Sequence, residues 1–221
     1  MASYLILGAG KFGRLSLRRL AAQDAEARFL VIDRRGSALA EARTPEVKDA
    51  EMRVDEAISY LAAHLGPKPP WDWLIPMVPV HVAYSWLLEG PLAGKGWEPA
   101  EVPQDLEGLA ALATRGPAGE LYLSQAHHLC PDDCDEPQIC PVTGEERQPL
   151  FLKLAEASRP GLPILVVASR QLAPGVGGYA PLRLVELAET VAEASGPLLI
   201  ATACRCHGVV HGLQRKGEPK A

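Results

Sequence analysis

The first 33 residues restrict the fold of this chain more than any other segment. The apolar run "SYLILGAG" predicts a buried strand, "KFGRLSLRRLAAQ" a helix, and "ARFLVID" a second strand. The turn between the first strand and the helix places Gly8, Gly10 and Gly13 in the spacing G-x-G-x-x-G, and Asp33 ends the second strand. This order of elements predicts the first unit of a parallel α/β sheet.

The three glycines have separate physical roles in such a turn. Gly8 permits the tight turn, Gly10 lets the backbone approach a pyrophosphate, and Gly13 lets the helix pack close to the sheet. Free N–H groups at the helix N-terminus attract phosphate, and Asp33 can accept hydrogen bonds from ribose hydroxyls. We therefore expect a dinucleotide site. The predicted cofactor-binding residues are Gly8, Gly10, Lys11, Phe12, Gly13, Asp33 and Arg34.

The sequence leaves the identity of the nucleotide open. Asp33 favours NAD(H), because a carboxylate repels a 2′-phosphate. Arg34 and Arg35 follow directly and offer cations to a 2′-phosphate, so NADP is an alternative. S-adenosylmethionine also binds glycine loops that precede an acidic strand end, so a methyltransferase is a second alternative.

The stretch "YLILGAGKFGRLSLRRL…FLVIDRR" resembles the nucleotide-binding domains of TrkA/RCK-type potassium-transport regulators. The resemblance covers about residues 3–90, and Gly8, Gly10, Gly13 and Asp33 match the family's motif residue by residue. It implies a Rossmann-like fold that binds NAD(H) or another adenine nucleotide. The sequence departs from the family at the two arginines after Asp33, where acidic residues are common, and the C-terminal half has no counterpart.

Strands alternate with helices through most of the chain, with further predicted strands in "EVKDAEM", "WDWLIPMV", "GELYLSQA", "PILVVAS" and "PLLIATA". This alternation predicts one α/β domain over residues 1–221, with a doubly wound, mostly parallel Rossmann-like sheet. Residues 1–90 form its dinucleotide-binding half, and residues 120–221 form a second half that carries the cysteines. Between them we predict a short strand near Trp97 and a helix in "DLEGLAALAT".

The cysteines form two tight groups. The first, in the loop 127–148, has the spacing C-x3-C-x5-C, and the second has the spacing C-x-C. The predicted metal ligands are Cys130, Cys134, Cys140, Cys204 and Cys206. Each group follows a predicted parallel strand, and parallel strands end at one edge of a sheet, where the glycine loop also lies. We therefore expect both groups to meet around one metal centre beside the nucleotide.

The spacing of the cysteines bears on the type of metal. The loop also carries four carboxylates, Asp132, Asp133, Asp135 and Glu136. These disfavour a lone activated thiolate, whereas a bound cation would stabilise several thiolates together. An iron–sulfur cluster accepts varied spacings, and structural zinc prefers C-x2–4-C pairs, so we predict a cluster and keep zinc, or unligated or disulfide-bonded cysteines, as alternatives. The flanking histidines, His127, His128, His207 and His211, are mostly expected to be solvated.

Composition excludes some classes of partner. The net charge is −5 and there is no long basic run, which argues against nucleic acid. No apolar stretch approaches the length of a bilayer span, and the N-terminus lacks the charged region of a signal peptide. We therefore predict a cytoplasmic protein without a membrane partner. Grouped cysteines in that compartment favour metal or redox chemistry over structural disulfides. Homo-oligomerisation stays open.

Together these patterns predict an NAD(H)-binding redox protein that carries an iron–sulfur cluster near the nucleotide crevice. An NAD(P)-linked oxidoreductase is the corresponding enzyme class, and no catalytic residue is assigned. The alternatives are a nucleotide-sensing regulatory module with a structural zinc site and a methyltransferase that uses the same glycine loop.

Overall fold

The computed structural model describes residues 1–47 and 50–217. The strands within these ranges are β1 (Ser3–Leu7), β2 (Arg28–Asp33), β3 (Glu51–Val54), β4 (Trp73–Pro76), β5 (Trp97–Ala100), β6 (Leu112–Arg115), β7 (Leu121–Ser124), β8 (Ile164–Ala168), β9 (Arg170–Ala173), β10 (Val176–Gly178), β11 (Leu198–Ala203) and β12 (His207–Arg215). The α-helices are α1 (Lys11–Gln23), α2 (Gly36–Ala42), α3 (Ala57–His64), α4 (Val82–Glu89), α5 (Leu150–Glu156) and α6 (Leu182–Glu193). Short 3-10 turns occupy Pro45–Val47 and Gln104–Leu109.

A parallel sheet of four strands forms the N-terminal part, in the order β3-β2-β1-β4. Every residue of β1 is buried, as expected of a central strand that is covered on both faces. Leu5 and Leu7 of β1 pack in one core cluster with α3 and α4. Tyr4 and Ile6 pack in another with α1 and α2. The predicted α/β class and the parallel sheet are therefore present in this part.

The second sheet corrects the prediction of one mostly parallel sheet. Its strand order is β6-β7-β12-β11-β8, and β5 also pairs with β12. Among the described strands of this sheet, only β8 and β11 pair in parallel. The physical reason lies in the short turn 204–206, because a connection of this length can join only antiparallel neighbours. The strand that follows it, "HGVVHGLQR", was not predicted.

Helices fill the space between the two sheets and cover the far face of the second. One core cluster joins residues of α3, α4 and α6 to Leu5 of the first sheet and to Leu198 and Ile200 of the second. A separate cluster packs α5 on the other face of the second sheet. Strands β7, β8 and β11 run in the same direction, because β7 and β11 both pair antiparallel to β12. Their carboxyl ends therefore lie at one edge of this sheet.

Several local predictions also change. Strand β3 begins at Glu51, and Lys48 and Asp49 of the predicted strand "EVKDAEM" lie outside the described residues. Helix α4 begins at Val82. The predicted helix "DLEGLAALAT" is a 3-10 turn followed by β6. Residues of the stretch "APGVGGYAP" contribute to the hairpin of β9 and β10. Within the part of the chain that the structure describes, no helix has the length and apolar character needed to cross a membrane.

A pair of buried histidines joins α4 to the second sheet. The Nδ1 atoms of His81 and His211 are 2.9 Å apart, and the Nε2 atom of His81 lies 2.9 Å from the hydroxyl of Thr202. Tyr84 stacks on His211 at 4.1 Å between ring centroids. Burial, followed by the proximity of His211, holds the pKa of His81 well below its usual value. Burial also lowers the pKa of His211, with Glu120 opposing the change.

This pair predicts a loss of stability in mild acid. Both rings favour the neutral form in the folded protein but protonate near pH 6.5 in the unfolded chain, so the unfolded state takes up more protons as the pH falls. The free energy of unfolding should therefore fall between pH 7.5 and pH 5.5, by at most about 1.4 kcal/mol for a ring that stays neutral throughout. Urea denaturation of wild type and His81→Gln at both pH values measures this change, and the variant should lose the share of the dependence that His81 contributes.

The matched control is His127→Gln, which replaces an exposed imidazole outside the pair. It should keep the wild-type dependence on pH. A His81→Gln variant that keeps the full dependence would show that the buried pair does not set it.

Candidate metal and nucleotide site

The connection between β7 and α5, residues 125–149, is the cysteine loop. It is anchored through backbone carbonyls: Cys134 O accepts a hydrogen bond of 2.8 Å from Gly175 N, and Asp132 O accepts one of 2.7 Å from Arg19 Nη1. Gly175 has φ +66°, and a Cβ there would lie 1.9 Å from Asp132 O. This turn of the β9–β10 hairpin therefore needs glycine for the loop to approach so closely.

A tight turn within the loop presents Cys140. The Cys140 N–H donates to Glu145 O and Gly144 N–H donates to Cys140 O, both at 2.8 Å. Hydrogen bonds from the side chain and the backbone of Thr143 lower the pKa of the Cys140 thiol. Donors that point at a sulfur in this way stabilise a thiolate, which is the form that binds metals.

The structure brings all five cysteines to the wall of one cavity of about 670 Å³. The carboxyl ends of β7, β8 and β11 lie at the same edge of the second sheet, and this common direction brings the two cysteine groups together. The cavity also reaches Phe12 at the start of α1 and Gly175 in the hairpin. The two groups and the segment after the glycine loop therefore border the same space.

Arg147 is a buried cation among the thiols. Its side chain is 7% exposed, and Nη1 lies 3.7 Å from the Cys206 sulfur. Burial disfavours the charged guanidinium, but the thiols of Cys206, Cys140 and Cys130 outweigh this and raise the pKa of Arg147. Among the described residues, no carboxylate forms a salt bridge with Arg147. A buried cation in such surroundings favours anionic sulfur.

The C-x-C pair lies in the turn between β11 and β12. The Cys204 N–H donates to His207 O at 2.9 Å, which closes the turn. Both thiols line the cavity, but Cys204 Sγ lies 2.7 Å from Glu136 Oε1 whereas Cys206 faces Arg147. Burial and the adjacent Glu136 carboxylate raise the pKa of Cys204. Burial and Glu136 raise the pKa of Cys206 as well, but there Arg147 opposes the change.

The flanking histidines differ in their positions. His128 Nε2 lies 3.9 Å from the Cys130 sulfur and 4.0 Å from the Cys140 sulfur. His207 Nδ1 lies 3.9 Å from the Cys204 sulfur. His127 is exposed, and His211 belongs to the buried pair with His81 described above. Two of the four histidines are therefore close enough to the thiols to join a metal site.

The glycine loop has the geometry that its spacing predicts. Gly8 has φ +103°, and a Cβ there would lie 2.6 Å from Met77 O. A Cβ on Gly13 would lie 1.9 Å from Gly8 O, so the helix reaches the turn only because this residue is glycine. A Cβ on Gly10 would meet no atom within 4 Å. Gly10 is thus the one of the three glycines beside which the chain leaves open space.

Asp33 makes contacts that the sequence did not predict. Its Oδ2 accepts a hydrogen bond of 2.8 Å from Ala9 N, and its Oδ1 accepts one of 2.8 Å from Arg35 N. Burial opposes the charged form, but these bonds and the Arg35 guanidinium lower the pKa of Asp33. The side chain is only 8% exposed, whereas Arg34 and Arg35 are exposed. Asp33 therefore stabilises the glycine loop through its hydrogen bond with the backbone of Ala9.

A direct contact connects the glycine loop to the cysteine loop. Lys11, the first residue of α1, forms an ion pair of 2.8 Å with Asp132 Oδ2, and both side chains are more than half exposed. Lys11 and Asp132 lie 121 positions apart in the chain. The pair places the predicted nucleotide site and the predicted metal site next to each other.

Sequence reasoning missed the contribution of Arg147 to the site. In the sequence, Arg147 follows "GEE" in a polar loop, where an arginine normally lies in solvent. Only the fold of the cysteine loop turns it toward the sulfurs. Glu136 was noted as one of four carboxylates, but nothing in the sequence separated it from Asp132, Asp133 and Asp135.

Comparisons with known proteins identify relatives of this chain. Residues 78–216 match a family model described as "Uncharacterized protein, C-terminal domain". The chain is also 32% identical over 225 residues to an "Uncharacterized protein" of Archaeoglobus fulgidus, an alignment that covers 96% of this chain and 99% of that relative. No solved structure matches. The matched residues include all five cysteines. Because the match spans more than half of the chain, the chain belongs to this family, described as "Uncharacterized protein, C-terminal domain".

Proposed function

We propose that this protein is an NAD(H)-binding redox protein, with a Rossmann-like nucleotide-binding half and a cysteine-ligated iron–sulfur cluster beside it. One observation carries the proposal: two cysteine groups distant in sequence line a single cavity that also reaches Phe12, next to the glycine loop. Its five cysteines are free thiols, which suits a reducing compartment, so the proposal places the protein in the cytoplasm.

The glycine loop supports the nucleotide part of the proposal. The need for glycine at positions 8 and 13 is explained by the fold itself, because a Cβ on Gly8 would clash with Met77 O and a Cβ on Gly13 would clash with Gly8 O. Gly10 has no such neighbour, and the open space beside it is where a pyrophosphate would approach the backbone. The exposed arginine Arg34 keeps NADP(H) as the alternative dinucleotide.

Four thiols support the cluster. Cys206 receives a hydrogen bond from Arg147, and the charges of Cys130 and Cys140 also act on that guanidinium. Cys134 lines the same cavity, and burial raises the pKa of the Cys130 and Cys206 thiols, so a bound cation rather than the protein alone would stabilise the thiolates. A metal centre held by four thiolates retains net negative charge, which a buried arginine would balance. These four cysteines are the proposed ligands.

The cavity has room for a cluster as well as for a single ion. Its volume of about 670 Å³ far exceeds the roughly 30 Å³ that a water molecule occupies in the liquid, so space would remain for a small substrate. Structural zinc in a nucleotide-sensing module is the second candidate, because the tight turn around Cys140 and its donors suit zinc as well as a cluster.

The electron chemistry limits what such a protein does. An iron–sulfur cluster exchanges electrons one at a time, whereas a nicotinamide gives up a hydride. The proposal therefore does not include direct hydride transfer to the cluster. The residues of this chain would bind the dinucleotide at the glycine loop and hold the cluster in the adjacent cavity, whose wall includes Asp132, the partner of Lys11.

The open space at Gly10 yields a test of nucleotide binding. In Gly10→Ala the new methyl group would occupy the approach of the pyrophosphate, and the affinity for NADH should fall about tenfold or more. The free energy of unfolding should stay within about 0.5 kcal/mol of wild type, since the methyl group meets no atom of the chain. Calorimetric titration with NADH, NADPH and S-adenosylmethionine measures binding and separates the alternatives.

The matched control is Gly66→Ala, at another glycine whose added Cβ would meet no atom within 4 Å. It should bind NADH like wild type. The nucleotide assignment fails if wild type binds neither dinucleotide, or if Gly10→Ala keeps full affinity for the one that binds.

The thiols yield a test of the metal. Protein purified without oxygen should be brown, with absorbance at about 400 nm and with bound iron and sulfide. Cys140→Ser should lose most of both, because it removes a thiolate ligand. His127→Gln, an exposed neighbour in the same loop, should retain them. A colourless wild-type protein that holds zinc would instead support the regulatory module.

A further inference from the structure

A second group of side chains lines the same cavity as the thiols around Arg147. The ligand atoms of Glu136, Cys204 and His207 all lie within 4.8 Å of one another. All three residues line the cysteine cavity, and the His207 side chain is 50% exposed, so solvent can reach the group. A sulfur, a carboxylate oxygen and an imidazole nitrogen therefore converge at one point of the cavity wall.

The backbone holds these three groups in place. Cys204 Sγ accepts a hydrogen bond of 3.2 Å from His207 N, and Glu136 Oε2 accepts one of 3.3 Å from Arg205 N. Glu136 has φ +50°, the only positive φ outside glycine among the described residues. A residue other than glycine adopts this backbone conformation at a steric cost, and residues in such conformations are concentrated at functional sites. At Glu136 this conformation directs the carboxylate toward Cys204.

The geometry suits one tetrahedral ion. Zinc binds sulfur, nitrogen and oxygen at about 2.0–2.3 Å, which places neighbouring ligand atoms about 3.5 Å apart. His207 Nδ1 lies 3.9 Å from Cys204 Sγ and 3.8 Å from Glu136 Oε1. Cys204 Sγ and Glu136 Oε1 are closer, at 2.7 Å, with the thiol directed at the carboxylate. An ion would replace the thiol proton and spread this pair by somewhat less than about 1 Å.

We propose that Glu136, Cys204 and His207 form a mononuclear zinc site, distinct from the four-thiol centre in the same cavity. Three protein ligands leave the fourth position open to the cavity, which is the arrangement of catalytic rather than structural zinc. On binding, the Cys204 thiol releases one proton, while the Glu136 carboxylate and the neutral His207 ring each donate a lone pair. The zinc site rests on the proposed function in one respect only, which is that the other four cysteines bind the cluster.

Thiolate and imidazole ligands favour zinc over the hard cations magnesium and calcium. The open position would hold water or an anionic or carbonyl group of a small substrate, since zinc binds such oxygens and polarises them. The cavity around the site has the volume for such a molecule. This defines a substrate class for the cavity: a small molecule with an oxygen ligand, bound beside the redox centre.

The test is a metal count on protein purified without oxygen, after equilibration with zinc and removal of excess ion. Wild type should hold one zinc per chain in addition to iron and sulfide. His207→Ala should lose the zinc and keep the iron, with zinc affinity at least about tenfold weaker in competition with a chelating dye. Cys204→Ala and Glu136→Gln should do the same. His207→Ala is the first variant to make, because its half-exposed side chain lies outside the core.

The control variant is Cys140→Ser, which should lose iron and sulfide while keeping the zinc. This result separates the two sites, and it separates the two proposals as well. If neither wild type nor any variant holds iron, but the zinc content depends on His207, then the proposed cluster is wrong and the proposed zinc site is supported. The zinc site is overturned if wild type holds no zinc after equilibration, or if Cys204→Ala loses as much iron as Cys140→Ser.

Discussion

The arrangement of the cavity depends on backbone contacts that hold the cysteine loop against the rest of the chain. Cys134 O accepts hydrogen bonds from Gly175 N and from Gln171 Nε2, and Asp132 O accepts one from Arg19. The long loop has few regular elements of its own, so these contacts, with the turn around Cys140, fix where its thiols lie. Hydrogen bonds from Gln125 N to Cys206 O and from Leu150 N to Arg205 O also join the two ends of the loop to the turn of Cys204 and Cys206, so the two cysteine groups have a fixed relation.

Two electrostatic environments divide the cavity. On one side a buried guanidinium, Arg147, faces Cys206 and acts on two further thiols, which favours a centre of net negative charge. On the other side Glu136 faces Cys204, which favours a cation between them. Burial strengthens both effects, because charges in a region of low dielectric constant interact more strongly than in water. These surroundings are the basis for proposing two metal centres in one cavity.

The nucleotide half and the cysteine half share a hydrophobic core cluster and also meet at polar contacts on the surface. The Lys11–Asp132 ion pair is exposed, and exposed ion pairs contribute little stability. It nevertheless connects the helix that begins at the glycine loop to the loop that carries three cysteines. A nucleotide phosphate near Lys11 would compete with Asp132 for the ammonium group, which offers a physical path between the two predicted sites.

The sequence by itself determined the local units. The glycine spacing and the apolar runs predicted β1, α1 and β2, because tight turns and buried parallel strands have strict residue requirements. It also predicted that the cysteine groups follow strands that end at one edge. It did not determine the second sheet, since β12 contains polar residues and glycines that resemble a loop. Only the tertiary structure decided that Arg147 faces Cys206, that Cys204 faces Glu136 and that Asp33 accepts a hydrogen bond from Ala9. Each of these contacts joins residues that are far apart in the chain, so no local sequence pattern specifies it.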